Sequence, residues 1–281
     1  MIQKSYENKK SILYLVPTPI GNLQDITFRA VEVLKNVDVI FAEDTRVTQQ
    51  LLNSLSIKNH ILACHKFNES KMSKVALQYL ENGKNIALVT DRGTPLISDP
   101  GSLVVSEVIK NNYNVVALPG ASAFLPALNM SDISSERFLF YGFLNSKESQ
   151  ARKELEMLND INFTIILYEA PHRLYKTLQN ILKIMGNRKI SISREITKKY
   201  EEVFRGCVQD AINIYKVIKG EIVIIIESSN KEKKINYDFL LDEVDNLISL
   251  GVKPTDAIKE VSKNNEVNKN VLYKLFQGRK K

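Results

Sequence analysis

Residues 12–46 read ILYLVPTPIGNLQDITFRAVEVLKNVDVIFAEDTR. Ile12–Val16 is a short apolar run halted by Pro17, the pattern of a buried strand. Over Asp25–Val37, the residues Ile26, Ala30, Val33, Leu34 and Val37 fall at i, i+4, i+7, i+8 and i+11, which is one face of a helix. Val39–Ala42 is apolar again and reads as a second strand. Strand, stiff loop, helix and strand in succession make the unit of a parallel sheet covered by helices.

The alternation continues along the chain. Leu51, Leu52 and Leu55 mark a helix, His60–Cys64 a strand, and Met72, Val75, Ala76, Tyr79 and Leu80 another helical stripe. Ile86–Thr90 is predicted as a strand, Leu103–Lys110 as a helix and Val115–Leu118 as a strand. The pattern then restarts, with a helix over Ala121–Met130, a strand over Phe138–Phe143, a charged helix over Glu148–Leu158 and a strand over Phe163–Tyr168. Leu174, Leu178, Ile181, Leu182 and Met185 repeat the helical stripe, and Ile190–Arg194, Glu202–Cys207 and Ile222–Glu227 are three further strands. The expected fold class is therefore α/β, in two consecutive domains over 12–120 and 121–230 that meet near Pro119–Ala123.

The tail differs in kind. Lys231–Lys234 is a charged linker, and Phe239–Leu250, Thr255–Lys263 and Asn270–Phe276 read as three short amphipathic helices over 235–281. Such helices with tight turns fit a helix-turn-helix-like module or a plain helical cap. Residues 231–281 carry 11 basic and 8 acidic residues, so the tail is only weakly polarised.

Composition narrows the function classes. With 281 residues the chain has room for roughly two domains of about 150 residues each. The 39 Lys and Arg against 32 Asp and Glu give +7, which permits a nucleic-acid partner without proving one. The 11 glycines never lie closer than eight positions, at Gly93 and Gly101, and this excludes both G-x-G-x-x-G and the phosphate-binding P-loop. Cys64 and Cys207 are far apart with no C-x-x-C, and His60, His65 and His172 lack metal-like spacing, so no metal site is expected. No apolar run reaches the about 18 residues of a membrane span, and Ile12–Val16 is too short for a signal peptide; the chain reads as cytoplasmic.

The prolines point to the chemistry. Seven of the eight lie between positions 17 and 171, and they follow strands in Val16-Pro17-Thr18-Pro19, Asp91-Arg92-Gly93-Thr94-Pro95, Leu118-Pro119-Gly120 and Glu169-Ala170-Pro171. Proline fixes φ and makes defined loops. In open α/β sheets ligands bind beyond the carboxyl ends of strands, so four stiff loops there form the wall of a ligand cleft. Individual residues keep simpler alternatives. Asp25, Thr27, Asp44 and Thr45 also suit helix caps, Arg46 a surface charge, and His172 a first helical turn.

At these loops a resemblance becomes plain. The strings beginning LYLVPTPIGN at Leu13, ALVTDRGTPLISDPG at Ala87, ALPGASA at Ala117, FLFYGF at Phe138, LYEAPHRLYKTL at Leu167 and SREITKKYEEVFRG at Ser193 occur in order through residues 12–226. Together they resemble the 16S rRNA (cytidine-2′-O)-methyltransferases, the ribosomal branch of the tetrapyrrole methylase superfamily. One position departs: the family usually has a small residue where this chain has Arg92.

The resemblance implies S-adenosylmethionine as methyl donor, a homodimer, and 16S rRNA within the small ribosomal subunit as partner. It implies cofactor contacts at Pro17, Asp91, Gly93, Thr94, Pro95, Ser122, Ala123, Leu167 and Tyr168. A ribose 2′-hydroxyl must lose its proton as it is methylated, and Asp44, Glu43 and Glu169 are the candidate bases. Arg46, Arg173, Lys198 and Lys199 are candidate RNA contacts, and the two lysines equally fit a solvated charge run. Phe67, Tyr141 and Tyr168 are candidates to stack on a base or simply to pack. Two other functions fit the same fold: C-methylation of a tetrapyrrole precursor, and RNA binding without catalysis.

Overall fold

The computed structural model describes residues 2–229, 237–265 and 267–279. The chain divides into a large unit ending at Ser229 and a small one starting at Asn230. The charged linker expected at Lys231–Lys234, and the domain boundaries at 230 and 235, lie outside the described residues.

The large unit begins with five strands, β1 (Ile12–Leu15), β2 (Val39–Ala42), β3 (Ile61–Ala63), β4 (Ile86–Val89) and β5 (Asn114–Ala117). They form one sheet in the order β3-β2-β4-β1-β5, and every pairing is parallel. Strand alternation decides what each face meets. Ile12, Val16, Ile40, Ala42, Ala87 and Val89 pack on α1 (Phe28–Asn36) and α2 (Thr45–Ser54) through Ala30, Leu34 and Leu52. Leu13, Leu15, Val39, Phe41, Ile86 and Leu88 pack on α3 (Glu69–Glu81) and α4 (Ser102–Lys110) through Met72, Ala76, Leu80, Val104 and Val108. Both faces are covered, and because all five strands run parallel every loop that follows a strand emerges at one end of the sheet.

The second half is not a copy of the first. Its strands are β6 (Phe138–Phe143), β7 (Thr164–Glu169), β8 (Lys189–Arg194), β9 (Glu202–Cys207) and β10 (Ile222–Ile226), in the order β6-β7-β10-β8-β9. Only β6 and β7 pair in parallel; the other three pairings are antiparallel. One face packs on α6 (Glu148–Asn159), α7 (Pro171–Met185) and α8 (Val208–Ile214), the last a short helix that is not among those expected from the sequence. On the other face Ile166, Val223 and Ile225 meet α5 (Phe124–Met130) and Ile20, which comes from the loop after β1. That contact brings the loop end of the first sheet against the second sheet.

Two predicted helices start later than their apolar period indicates. Before α1, Leu23–Asp25 forms a 3-10 turn, and Thr27 caps the helix by accepting the Ala30 N–H at 3.0 Å. The helix predicted from Ala121 begins at Phe124, which leaves Ala121–Ala123 free to line a wall. The small unit contains α9 (Tyr237–Ser249), α10 (Pro254–Asn264) and α11 (Lys269–Arg279) around a core of Leu240, Leu241, Val244, Ala257, Ile258, Val261, Leu272 and Phe276. No described helix is long and apolar enough to cross a membrane.

Candidate active site

The loops after the parallel strands are stitched to each other. Thr18 N–H donates to Gly93 O and Gly93 N–H donates to Thr18 O, both at 2.9 Å, joining the loops after β1 and β4. Gly93 stands at φ +83°, where a side chain would be strained. Thr94 Oγ1 donates to Ala121 O at 2.8 Å and ties in the loop after β5. Pro17 packs so closely on Gly120 that a Cβ there would collide with its ring.

A cleft of about 390 Å³ opens beyond these loops and against the second sheet. Its apolar lining includes Ile20, Ile97, Ala123, Phe143, Ile196 and Val223. Its polar lining includes Thr94, Ser122, Tyr168 and Asp99, with Arg92 and Glu221 also on its wall. Tyr168 is fixed edge-on by Phe140 and Phe143, at ring separations of 5.0 and 5.5 Å. Burial pushes the Tyr168 hydroxyl up to about 12, so it is a proton donor at neutral pH. Ser122 Oγ is buried beside that hydroxyl without a hydrogen bond of normal geometry.

Of the cofactor contacts that the resemblance implied, Gly93, Thr94, Ser122, Ala123 and Tyr168 line this cleft. Pro17, Asp91, Pro95 and Leu167 do not. Pro17 and Pro95 are buried in the loop framework, and Asp91 Oδ1 accepts the Asp44 N–H at 3.0 Å. The Leu167 side chain sits in the core on the opposite face of its sheet, among Ile165, Leu174 and Ile224. Adjacent residues on a strand point to opposite faces, so with Tyr168 in the cleft Leu167 faces away.

The three candidate bases separate clearly. Asp44 is the N-cap of α2; its Oδ1 accepts the Arg46 N–H at 2.8 Å, and its Oδ2 takes Arg46 Nη2 at 2.6 Å. The Arg46 side chain, followed by its backbone N–H, holds the Asp44 carboxyl down at about 2, a weak base. Glu169 lines the cleft, but its side chain is only 1% exposed and its oxygens are engaged. Oε2 accepts Thr177 Oγ1 at 2.6 Å, while Oε1 accepts the Ala170 N–H at 2.8 Å and meets Arg173 Nε at 3.3 Å. It organises the first turn of α7. Glu43 is half-buried, and burial followed by the charge of Asp91 raises its pKa.

A fourth carboxylate stands out. Asp99 lies in the loop between β4 and α4 and lines the cleft. Burial first, then the charges of Glu43 and Asp91, pushes Asp99 up to about 7. The sequence displays Ser98-Asp99-Pro100-Gly101 as a stiff loop, but nothing in that string reveals two further carboxylates beside it.

The basic candidates also divide. Arg173 Nη2 donates to Leu144 O at 3.0 Å and Asn145 O at 2.9 Å, besides the Glu169 pair. Lys198 Nζ reaches Glu195 Oε1 at 2.8 Å and Glu221 Oε2 at 2.9 Å. Arg46 and Lys199 are exposed, Arg46 paired with Asp44 and Lys199 over the Tyr200 ring at 5.6 Å. Phe67 is almost wholly exposed and rests edge-on against His65. Tyr141 is partly exposed.

The family model of the tetrapyrrole (corrin/porphyrin) methylases matches residues 12–212, a span that holds the whole first sheet and β6 to β9 of the second. The chain belongs to the tetrapyrrole methylase family. Its relatives include the ribosomal RNA small subunit methyltransferase I of Bacillus subtilis (strain 168), 42% identical over 98% of this chain and 97% of that protein. The protein of that name from Synechocystis sp. (strain ATCC 27184 / PCC 6803 / Kazusa) is 40% identical over 94% of this chain and 96% of its own. Among solved structures, the uroporphyrin-III-C-methyltransferase of Thermus thermophilus superposes with a TM-score of 0.58 at 15% identity, covering 78% of this chain and 94% of that one. A form of that enzyme complexed with S-adenosylhomocysteine gives 0.57 at 14%, covering 77% and 97%. At such identities the structures establish the fold alone.

As a tetrapyrrole methylase the protein is a methyltransferase that takes S-adenosylmethionine as its cofactor. The cleft fits that group. Its volume lies within the about 300–1,000 Å³ of small-molecule sites, and apolar walls with a few placed polar groups suit a nucleoside. Ser122 Oγ, buried and without a well-formed bond, is available to a ligand. The carboxylates suit a sulfonium cation.

Proposed function

We propose that the protein methylates the ribose 2′-hydroxyl of a cytidine in 16S rRNA of the small ribosomal subunit. The observation that carries this reading is identity of about 40% across nearly the whole chain to proteins named for small-subunit ribosomal RNA methylation. The helical unit falls within that full-length match, whereas the solved tetrapyrrole enzymes cover only about three quarters of the chain. We further take the protein to work in the cytoplasm as a homodimer.

When bound, S-adenosylmethionine supplies an electrophilic methyl group on sulfur. Ile20, Ala123, Ile196 and Val223 give the nucleoside an apolar seat, and Thr94, Ser122 and Tyr168 offer it hydrogen bonds. Asp99 is the proton acceptor: it faces the cleft, and a carboxyl near 7 is about half ionised at neutral pH while remaining a stronger base than an ordinary carboxylate. A cation in the cleft favours the ionised form of Asp99 and readies it for the acceptor hydroxyl. Burial holds Asp99 high first, and Glu43 adds to it as a neighbouring charge rather than as the group that takes the proton. Asp44 and Glu169 position loops. Arg46 and Lys199 are the exposed cations of the proposed RNA contacts, and Arg173 and Lys198 are committed inside the fold.

The test is transfer of labelled methyl from S-adenosylmethionine to small subunits that lack the modification, followed by nuclease digestion and mass spectrometry. A 2′-O-methylcytidine product supports the reading. Label on a base, or transfer to a tetrapyrrole precursor instead of the subunit, overturns it.

A further inference from the structure

Arg92 and Glu221 line the cleft from opposite walls and close on each other as an ion pair. Arg92 stands in the loop after β4 of the parallel sheet, and Glu221 immediately before β10 of the mixed sheet. The two ends of the pair are built differently. Glu221 has support of its own. Its Oε2 takes Lys198 Nζ at 2.9 Å, its backbone N–H donates to Glu195 Oε1 at 3.0 Å, and its carbonyl accepts the Glu195 N–H at 3.0 Å. Lys198 is only 19% exposed and is itself fixed by Glu195 at 2.8 Å. Gly220, at φ +99°, turns the chain where any Cβ would strike Glu195. Arg92 is held only at its root, where the Thr18–Gly93 pair pins the backbone. Among the described residues its side chain bonds to Glu221 alone.

We propose that Arg92 and Glu221 form the receptor for the amino-acid end of S-adenosylmethionine, separating from each other to bind its carboxylate and its ammonium. The inference rests on the cofactor and is independent of the RNA acceptor. Elsewhere the lining is apolar side chains, hydroxyls and the carboxyls of Asp99 and Glu169, and among its residues a cation stands with a carboxylate only here. A free amino acid carries a carboxylate and an ammonium on one carbon, and a guanidinium paired with a carboxylate is its electrical complement. The guanidinium fork receives the ligand carboxylate through two parallel hydrogen bonds. The ammonium donates to Glu221 Oε1, the oxygen that Arg92 releases, while Lys198 keeps Oε2 in place. Each charge exchanges one partner for another, so nothing is left unpaired. The Arg92 and Glu221 side chains are 52% and 58% exposed, and opening so hydrated a pair costs little. The cleft therefore selects a complete amino-acid-bearing thioether over its truncated nucleoside.

The test is titration calorimetry on the full chain with two ligands, S-adenosylhomocysteine and 5′-methylthioadenosine, which share the nucleoside and differ in the amino-acid group. Arg92→Ala is expected to weaken S-adenosylhomocysteine by about tenfold or more while changing 5′-methylthioadenosine less than about twofold. Glu221→Gln is expected to show the same selectivity, and Arg92→Lys an intermediate loss, because an ammonium cannot make the two-bond fork. Equal weakening of both ligands would mean that the pair is a clasp between the two walls, and an unchanged S-adenosylhomocysteine affinity would assign Arg92 elsewhere, such as to an RNA phosphate. Either result overturns the proposal. Failure of the wild-type protein to bind either ligand would instead remove the cofactor assignment, and the proposal with it.

Discussion

The Asp44 N–H donates to Asp91 Oδ1 at 3.0 Å, across the loops that follow β2 and β4. This bond sets the spacing of three carboxyl groups. It fixes Asp91 beside Glu43, and the charges of both bear on Asp99. Like charges gathered in a partly buried place cannot all ionise easily, so the group facing the cleft is the one held near neutrality.

Asp99→Asn is expected to cut methyl transfer by about 10²-fold or more, with S-adenosylhomocysteine affinity retained. In the wild-type enzyme kcat/KM should rise with pH through about 7, the value for the free enzyme. That limb should vanish in the variant. Retention of a limb at the same pH would show that another group is the base.

The same residue makes a prediction about stability. Its folded pKa, about 7, lies above the about 3.9 of an unfolded aspartate. Between those values the native state binds more protons than the unfolded chain, so stability falls as pH rises from about 4 to about 7. Glu43 is raised as well and contributes in the same direction. Asp99→Asn should make the fall in melting temperature over this range shallower without abolishing it, as scanning calorimetry at several pH values would show.

Asp44→Ala should leave turnover within a few-fold of wild type, since the carboxylate caps α2 and is engaged by Arg46. Its depressed pKa gives the opposite stability sign. The stabilising contribution is present above the unfolded value and is lost as pH falls towards about 2. The melting temperatures of variant and wild type should therefore converge in acid. Loss of catalysis with a normal melting curve would restore Asp44 as a base.

Glu169→Gln should destabilise the fold by about 2–4 kcal/mol, because it strips charge from a buried carboxylate that serves Thr177, Ala170 and Arg173. Urea unfolding would measure it. A variant of unchanged stability but lost activity would make the residue a participant in the reaction instead of an organiser of α7.

The first sheet was legible because each strand is a short apolar run closed by a stiff loop, and each covering helix has a clean period, as in Ala30 and Leu34 of α1. Direction in the second sheet was not legible. Ile222–Ile226 announces a buried strand, but whether β10 runs with or against β7 depends on the connection and not on five apolar residues. Of the five implied cofactor contacts that line the cleft, Gly93, Thr94, Ser122 and Ala123 are carried there by the proline loops and Tyr168 by the end of β7. Leu167 does not, since the alternation of a strand forbids its side chain from sharing a face with Tyr168. Asp99 is not legible because its behaviour comes from burial first and then from the charges of Glu43 and Asp91, all of which only the fold supplies.

The reciprocal hydrogen bonds of Thr18 and Gly93, with the tie from Thr94 to Ala121, have a bearing on ligand affinity. Segments that must be immobilised before they can grip a small molecule surrender conformational entropy at that moment, and affinity suffers accordingly. Here the ordering has already happened during folding, through main-chain rungs that no visiting molecule has to make. A nucleoside entering the cleft meets a mould rather than a net, and what it gains from contact it keeps.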